Sequence, residues 1–309
     1  MDSLQQRLQP LHGINQRGLS SSPSSLGSSL GSSLGSSPAS LPALGLRGGA
    51  VGPSTLLHSP LTPLTTTLTT GVTLITLQIL LQSILKRSNS PLLHKKPGYL
   101  AHTLIVVPLM ASVSLFGLQG YLKDFPKEAV SPVLSHLKGA STLSAVLAGV
   151  MLWDVPTSYC VPGLRSFDIL LHHFLLFFIS FLAANKLPSY WCYFYFGVVE
   201  LVSPPLSVYD QMEREVEIAE ECKHSKLQKL KEIRDFWKVA AALAFTVTRA
   251  VLFTFVTWFR FLPQCLSALP LATSVEANVI KFMMFMVVGF SGLQLWWFSL
   301  LVREAVKGF

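Results

Sequence analysis

The chain has 309 residues, half of them hydrophobic and only 13% charged, with a formal net charge of +8. A soluble domain carries about 25% charged residues, so much of this chain is solvated by something other than water. The basic residues cluster between apolar runs, which points to membrane topology and away from nucleic acid. The four cysteines, Cys160, Cys192, Cys222 and Cys265, lie far apart and form no CxxC pair, so neither a disulfide framework nor a zinc site is implied.

Residues 1–60 are rich in Ser, Gly, Leu and Pro, with a short repeat at Gly27-Ser-Ser-Leu-Gly31-Ser-Ser-Leu-Gly35. Such a segment has too little bulky apolar surface to offset its ordering entropy, so a disordered tail is expected. It holds Arg7, Arg17 and Arg47 but only one acid, Asp2, which is also the composition of an organelle transit peptide. No compact apolar core follows Met1, so no secretory signal is expected there.

Seven apolar stretches follow: Thr62 to Leu85, Leu100 to Leu122, Val133 to Asp154, Ser166 to Asn185, Leu187 to Val208, Val239 to Leu262 and Ala277 to Val302. A helix needs about 20 residues to cross the hydrocarbon, and in lipid the backbone must satisfy its own hydrogen bonds. The expected architecture is therefore an all-α integral membrane protein, a polytopic bundle of about seven transmembrane helices. Residues 61–90 form its first helix and a basic loop. The second stretch carries His102 and no Asp, Glu, Lys or Arg, and the third is the weakest because Lys138 falls inside it.

With the N-terminus outside, the cytoplasmic segments hold 14 of the 24 Lys and Arg, and the opposite loops between spans hold Lys123, Lys127, Lys138 and Lys186. That asymmetry places the tail in the lumen and the C-terminus in the cytosol. Residues 210–238 form a charged cytosolic loop that reads as one helix, acidic first and basic later, an order suited to the helix dipole. It is a solvated extension, or a surface-lying or partner-binding helix.

An ionisable group near the bilayer centre costs about 2.5–3.5 kcal/mol on insertion scales. The fourth span nevertheless carries Asp168, His172 and His173, the fifth Glu200 and the sixth Arg249. Asp168 and His172 share a helix face, where a carboxylate can hold an imidazole in one tautomer. Glu200 lies at a depth like that of the histidines. Pro204 and Pro205 cannot donate to the carbonyls of Glu200 and Leu201, so a protein-lined cavity is expected there. Arg249 has Glu200, Asp168 or Asp154 as available partners. Adjacent histidines point about 100° apart on a helix and do not chelate as an i, i+4 pair would, so no metal is expected; no cofactor is expected either.

The ordered set Trp153-Asp154, His172-His173, the aromatic run Tyr190-Trp-Cys-Tyr-Phe-Tyr-Phe196, Glu200-Leu-Val-Ser-Pro204, Arg249 and Leu293-Gln-Leu-Trp-Trp-Phe298 resembles the TLC domain over roughly residues 95–305. That is the membrane module shared by ceramide synthases and their relatives. The resemblance implies lipid chemistry or lipid handling, with the endoplasmic reticulum as the expected membrane, or another organelle's if the N-terminus is a transit peptide. In ceramide synthases the His pair sits in the catalytic chamber and acyl-CoA supplies the chain; His172 and His173 match that pair. The synthase pattern continues with His-Asp and a further Asp, where this chain has Glu200-Leu-Val-Ser-Pro204, closer to the non-synthase branch.

Three readings follow. The first is a protein of lipid sensing, lipid homeostasis or membrane lipid composition, with a chamber built from Glu200, Ser203, Pro204, Arg249 and Asp154 and lined by the histidines. Its partners would be membrane lipids. The second is an acyl-CoA-dependent N-acyltransferase, with one histidine oriented by Asp168 as general base. The third is a transporter or channel, against which stands the lack of an inverted repeat.

Overall fold

A computed structural model describes residues 61–88, 96–126, 131–187, 189–223 and 225–307. The N-terminal segment 1–60, expected as a disordered tail or targeting segment, lies outside them. The described chain is helical, without strands among the described residues. Its elements are α1 (Leu61–Lys86), α2 (Pro97–Lys123), α3 (Lys138–Cys160), α4 (Phe167–Lys186), α5 (Trp191–Phe196), α6 (Ser203–Glu221), α7 (Leu227–Leu271) and α8 (Ser274–Lys307). Six of these, all except α5 and α6, are long and apolar enough to cross a membrane.

The fifth expected span is the exception, because it is broken. Residues 191–196 form α5, Val198–Val202 a 3₁₀ turn, and α6 begins at Ser203. Prolines 204 and 205 cause the break. Pro204 has no N–H for the carbonyl of Glu200, which accepts instead from the backbone N–H of Ser203, one residue earlier. The broken segment still runs the full length of α2 in the opposite direction. Tyr190 Oη donates to the carbonyl of Tyr121 at 2.6 Å, Thr103 Oγ1 to Gln211 at 3.3 Å, and Lys96 pairs with Glu217 at 3.2 Å. Six candidate spans are therefore found where about seven were expected, and the fifth expected one is replaced by two shorter helices and a turn.

Helix α3 is the centre of the bundle and α1 its periphery: 61% of the apolar window of α3 is buried, against 17% in α1. The third expected span is shifted. Lys138 is the first residue of the helix rather than an interior one, and the helix runs on through Pro156 to Cys160. This places the ammonium at a helix end, where it need not be desolvated. Small residues bring α1 onto α3: a Cβ on Gly149 would lie 2.6 Å from the carbonyl oxygen of Thr67, whose hydroxyl donates to the carbonyl of Ala145 at 3.1 Å.

The charged loop is two helices, not one. The chain turns back at residues 222–226, with Lys223 at φ 49°, and the start of α7 packs antiparallel on the end of α6. In a single helix the acids would sit near the N-terminus. In the hairpin they fall at the C-terminal end of α6, where the dipole disfavours them, and the basic start of α7 lies beside them. Lys231 pairs with Glu220 at 2.8 Å and Arg234 with Glu213 at 3.7 Å.

Candidate functional site

The break in the fifth pass sets the site. Gly197 and Gly117 meet backbone to backbone: a Cβ on Gly117 would come within 2.3 Å of the Cα of Gly197. Glycine at both positions lets the 3₁₀ turn press against α2, and that contact fixes where Glu200 points. Tyr193 anchors the same segment through its hydroxyl, which donates to Asp124 at 2.7 Å.

Facing the turn, α7 widens into π-helical geometry over Thr246–Phe253 and again over Thr257–Phe261. Such turns rotate side chains out of register with the flanking α-helix. The first carries Arg249, and the second carries Thr257, bonded to Tyr195 Oη at 3.1 Å. Arg249 Nη2 donates to Glu200 Oε2 at 3.1 Å, and the Ser203 hydroxyl donates to the same oxygen. Glu200 and Arg249 are only 6% and 7% exposed. Of the acids available to Arg249, the fold selects Glu200.

The pair forms part of the wall of a cavity of about 30 Å³, counted as space open to the centre of a water-sized sphere. Opposite stand His172 of α4 and Gln294 of α8, and the lining continues through Leu176 and Met283. Three lining residues each carry a fully buried polar atom with no hydrogen-bond partner among the described residues, His172 Nδ1, Arg249 Nε and Gln294 Oε1, while the cavity surface itself is largely apolar. Other buried unpartnered atoms, on Gln78, Ser114, Trp153 and Thr254, belong to residues that do not line the cavity. An unmade hydrogen bond of this kind costs about 1–3 kcal/mol, so each such atom asks for an explanation.

His173 does not line the cavity. Its Nδ1 lies 2.8 Å from Asp154 Oδ2, at ion-pairing distance although poorly aligned for a hydrogen bond. The other carboxylate oxygen of Asp154 meets His102 Nε2 at 2.7 Å and accepts from the Ser158 hydroxyl at 3.1 Å. His102 stacks on Trp153, ring centroids 5.0 Å apart. One carboxylate therefore ties α2, α3 and α4 together beside the cavity. Among the described residues no group of three or more His, Cys, Asp and Glu is arranged to hold a metal ion.

Asp168 takes a different role from that expected of it. It accepts from the Ser166 hydroxyl and from Trp297 Nε1 at 3.4 Å, and it makes no hydrogen bond to His172. His172 instead packs edge-to-face against Phe290 and Trp297, at 5.0 and 5.5 Å. Of the expected site residues, His172, Glu200 and Arg249 share the cavity; Ser203 supports Glu200; Pro204 opens α6; Asp154 and His173 form the adjoining cluster. Sequence reasoning did not assign Gln294 or His102. His102 was visible in a span with no Asp, Glu, Lys or Arg, and Gln294 as the one polar residue in the run Leu293 to Phe298.

Fold and site together define a multi-pass helical membrane protein with a small, largely apolar cavity beside a buried Glu200–Arg249 pair. The chain belongs to the TLC-domain family, whose model matches residues 95–303. Helix α1 precedes the matched region. Comparison with curated proteins and with solved structures finds no match.

Proposed function

We propose that this protein binds a membrane lipid at the Glu200–Arg249 cavity and serves lipid sensing, lipid homeostasis or control of membrane lipid composition, in the endoplasmic reticulum or another organelle membrane. The observation that carries this reading is that His172, Glu200, Arg249 and Gln294, four buried polar residues on separate elements, sit among the residues lining one largely apolar cavity. Ionisable residues at membrane depth are costly and mark a functional site as the first hypothesis. The wall is amphipathic. His172 and Gln294 lie toward the hairpin end, and Ile179 and Met283 toward the other, about 16 Å along α8 at 1.5 Å per residue. That polarity matches a lipid with its polar group facing the hairpin side.

The test is photolabelling of the full chain in nanodiscs with a diazirine acyl lipid, followed by peptide mapping. Label concentrated on residues 172–179 and 283–294 supports the reading. Label spread over the exposed faces alone rejects it.

Acyl transfer is the second reading, favoured by His172 at the cavity wall. A general base there would lack the orienting carboxylate that a proton-abstracting imidazole ordinarily has, since Asp168 is engaged by Ser166 and Trp297. Incubation with acyl-CoA and a long-chain amine tests it directly; turnover lost in His172→Phe would establish it.

A further inference from the structure

We propose that His102, Asp154 and His173 form a proton-binding clamp that makes the packing of α2, α3 and α4 respond to pH. The clamp lies beside the cavity and stands independently of the lipid-binding reading.

Each oxygen of one carboxylate faces a different ring. His102 Nε2 lies 2.7 Å from Asp154 Oδ1, and His173 Nδ1 lies 2.8 Å from Oδ2. The three residues come from three helices. Each sits five or six residues in from the end of its helix nearest the charged hairpin, about 9 Å at 1.5 Å per residue. The carboxylate is buried, whereas the rings of His102 and His173 keep 12% and 23% of their side-chain surface open. The short depth and the open ring edges give protons a route to the imidazoles.

The charge of the cluster turns on one proton. With both rings neutral it is a buried anion, heavily penalised unless a cation pairs with it. With one imidazolium it is neutral, and with two it carries an uncompensated positive charge. Asp154 has no lysine or arginine partner among the described residues. Arg249 of α7 is held by Glu200 at 3.1 Å, and Lys96, just before α2, by Glu217 of α6 at 3.2 Å. Arg214 of α6 donates to the carbonyl of Gly163 at 3.2 Å. Helix α1, packed on α3, has no charged residue before Lys86. On α4, His172 sits among aromatic rings and Asp168 is a second carboxylate. Neutralising Asp154 therefore falls to His102 and His173, the side-chain type that changes charge near physiological pH.

With the proton bound, an ion-paired carboxylate joins the three helices. Without it, a buried anion remains and α2 and α4 are held less firmly to α3. The stabilisation is present at acidic pH and is lost as pH rises through the titration. Helix α4 also carries His172 into the cavity wall, so the same proton bears on the cavity's shape.

Thermal denaturation of the full chain in nanodiscs, between about pH 5 and pH 8, tests the clamp. The wild-type melting temperature should fall by several degrees as pH rises. His102→Gln and His173→Gln should each keep most of that fall, since one imidazole suffices for the proton. The double variant should lose at least half of it. His136, paired with Glu276 at the far end of the bundle at 2.9 Å, supplies a remainder common to all variants. A double variant with the wild-type slope overturns the proposal, and a flat wild-type profile overturns it without any variant. Nitrogen-15 NMR of the histidine-labelled chain decides the matter if the double variant fails to fold. At the acidic end an imidazolium should correlate with an aspartate carboxylate, and the signal should fade toward the basic end. Wild-type spectra with no such correlation at any pH overturn the proposal.

Discussion

His172 and His173 are adjacent in the chain, and their rings, 5.6 Å apart and inclined at 53°, serve different neighbourhoods. His172 looks into the cavity between Glu200, Arg249 and Gln294. His173 looks toward α3 and the carboxylate of Asp154. The 100° step of an α-helix is enough to split a pair that reads as one motif into a cavity-lining ring and a ring that ties helices together.

The two histidines should therefore fail differently. His173→Phe removes one of the groups that neutralise a buried carboxylate, a loss of about 1.5–3 kcal/mol for a contact to a charged group. His172→Phe keeps the volume roughly and breaks no hydrogen bond within the protein, so its effect on stability should stay under about 1.5 kcal/mol. Thermal denaturation of the detergent-solubilised chain should rank wild type and His172→Phe together, above His173→Phe. Lipid labelling at the cavity should rank them in the opposite way, with His172→Phe the weaker.

Glu200 and Arg249 are partners in a setting that tolerates neither alone. Arg249→Met leaves a buried carboxylate uncompensated and should cost about 3–5 kcal/mol, whereas the double replacement Glu200→Leu with Arg249→Met should recover most of that. Melting temperatures of the two variants give the comparison. Equal losses would mean that the carboxylate left behind in Arg249→Met carries no penalty.

The Gly117–Gly197 contact has no flexible side chain to yield. Gly117→Ala would drive a methyl to 2.3 Å from a backbone carbon. A cost of about 1–3 kcal/mol is expected from overpacking. The broken pass should move with it, lowering both the melting temperature and the cavity labelling. Size-exclusion profiles before and after heating provide the check.

Lys223 sits at φ 49° in the turn of the charged hairpin. An L-residue in that conformation is disfavoured by about 1–2 kcal/mol relative to glycine. Lys223→Gly should raise hairpin stability by about 1 kcal/mol, partly offset by the greater freedom of glycine in the unfolded chain. Slower amide exchange across 213–221 and 227–234 would report it.

Much of the architecture was legible in the sequence because lipid leaves the backbone few choices. An apolar run of sufficient length must close its own hydrogen bonds, so α1, α2, α4 and α8 follow from composition alone. The third pass was misplaced by several residues: an apolar window slides freely over Val133 to Cys160, whereas a buried lysine at 138 does not. The charged loop was read as one helix because charge order along a chain fits a dipole equally well whether the chain continues or folds back. Prolines 204 and 205 did announce an irregularity. That the carbonyl of Glu200 would be served by Ser203 in a 3₁₀ turn depended on the glycine contact with α2.

The presence of costly polar groups at His172, Glu200 and Arg249 was a property of the sequence, since residue type and depth are read along one dimension. Which of them meet was not. Asp168, four residues from His172 and on its face, turned to Trp297. Asp154 drew His173 and an unassigned His102, and Gln294 arrived from a helix more than a hundred residues away. Side-chain partnership depends on helix rotation and on contacts between distant segments, and those are settled only when the helices pack.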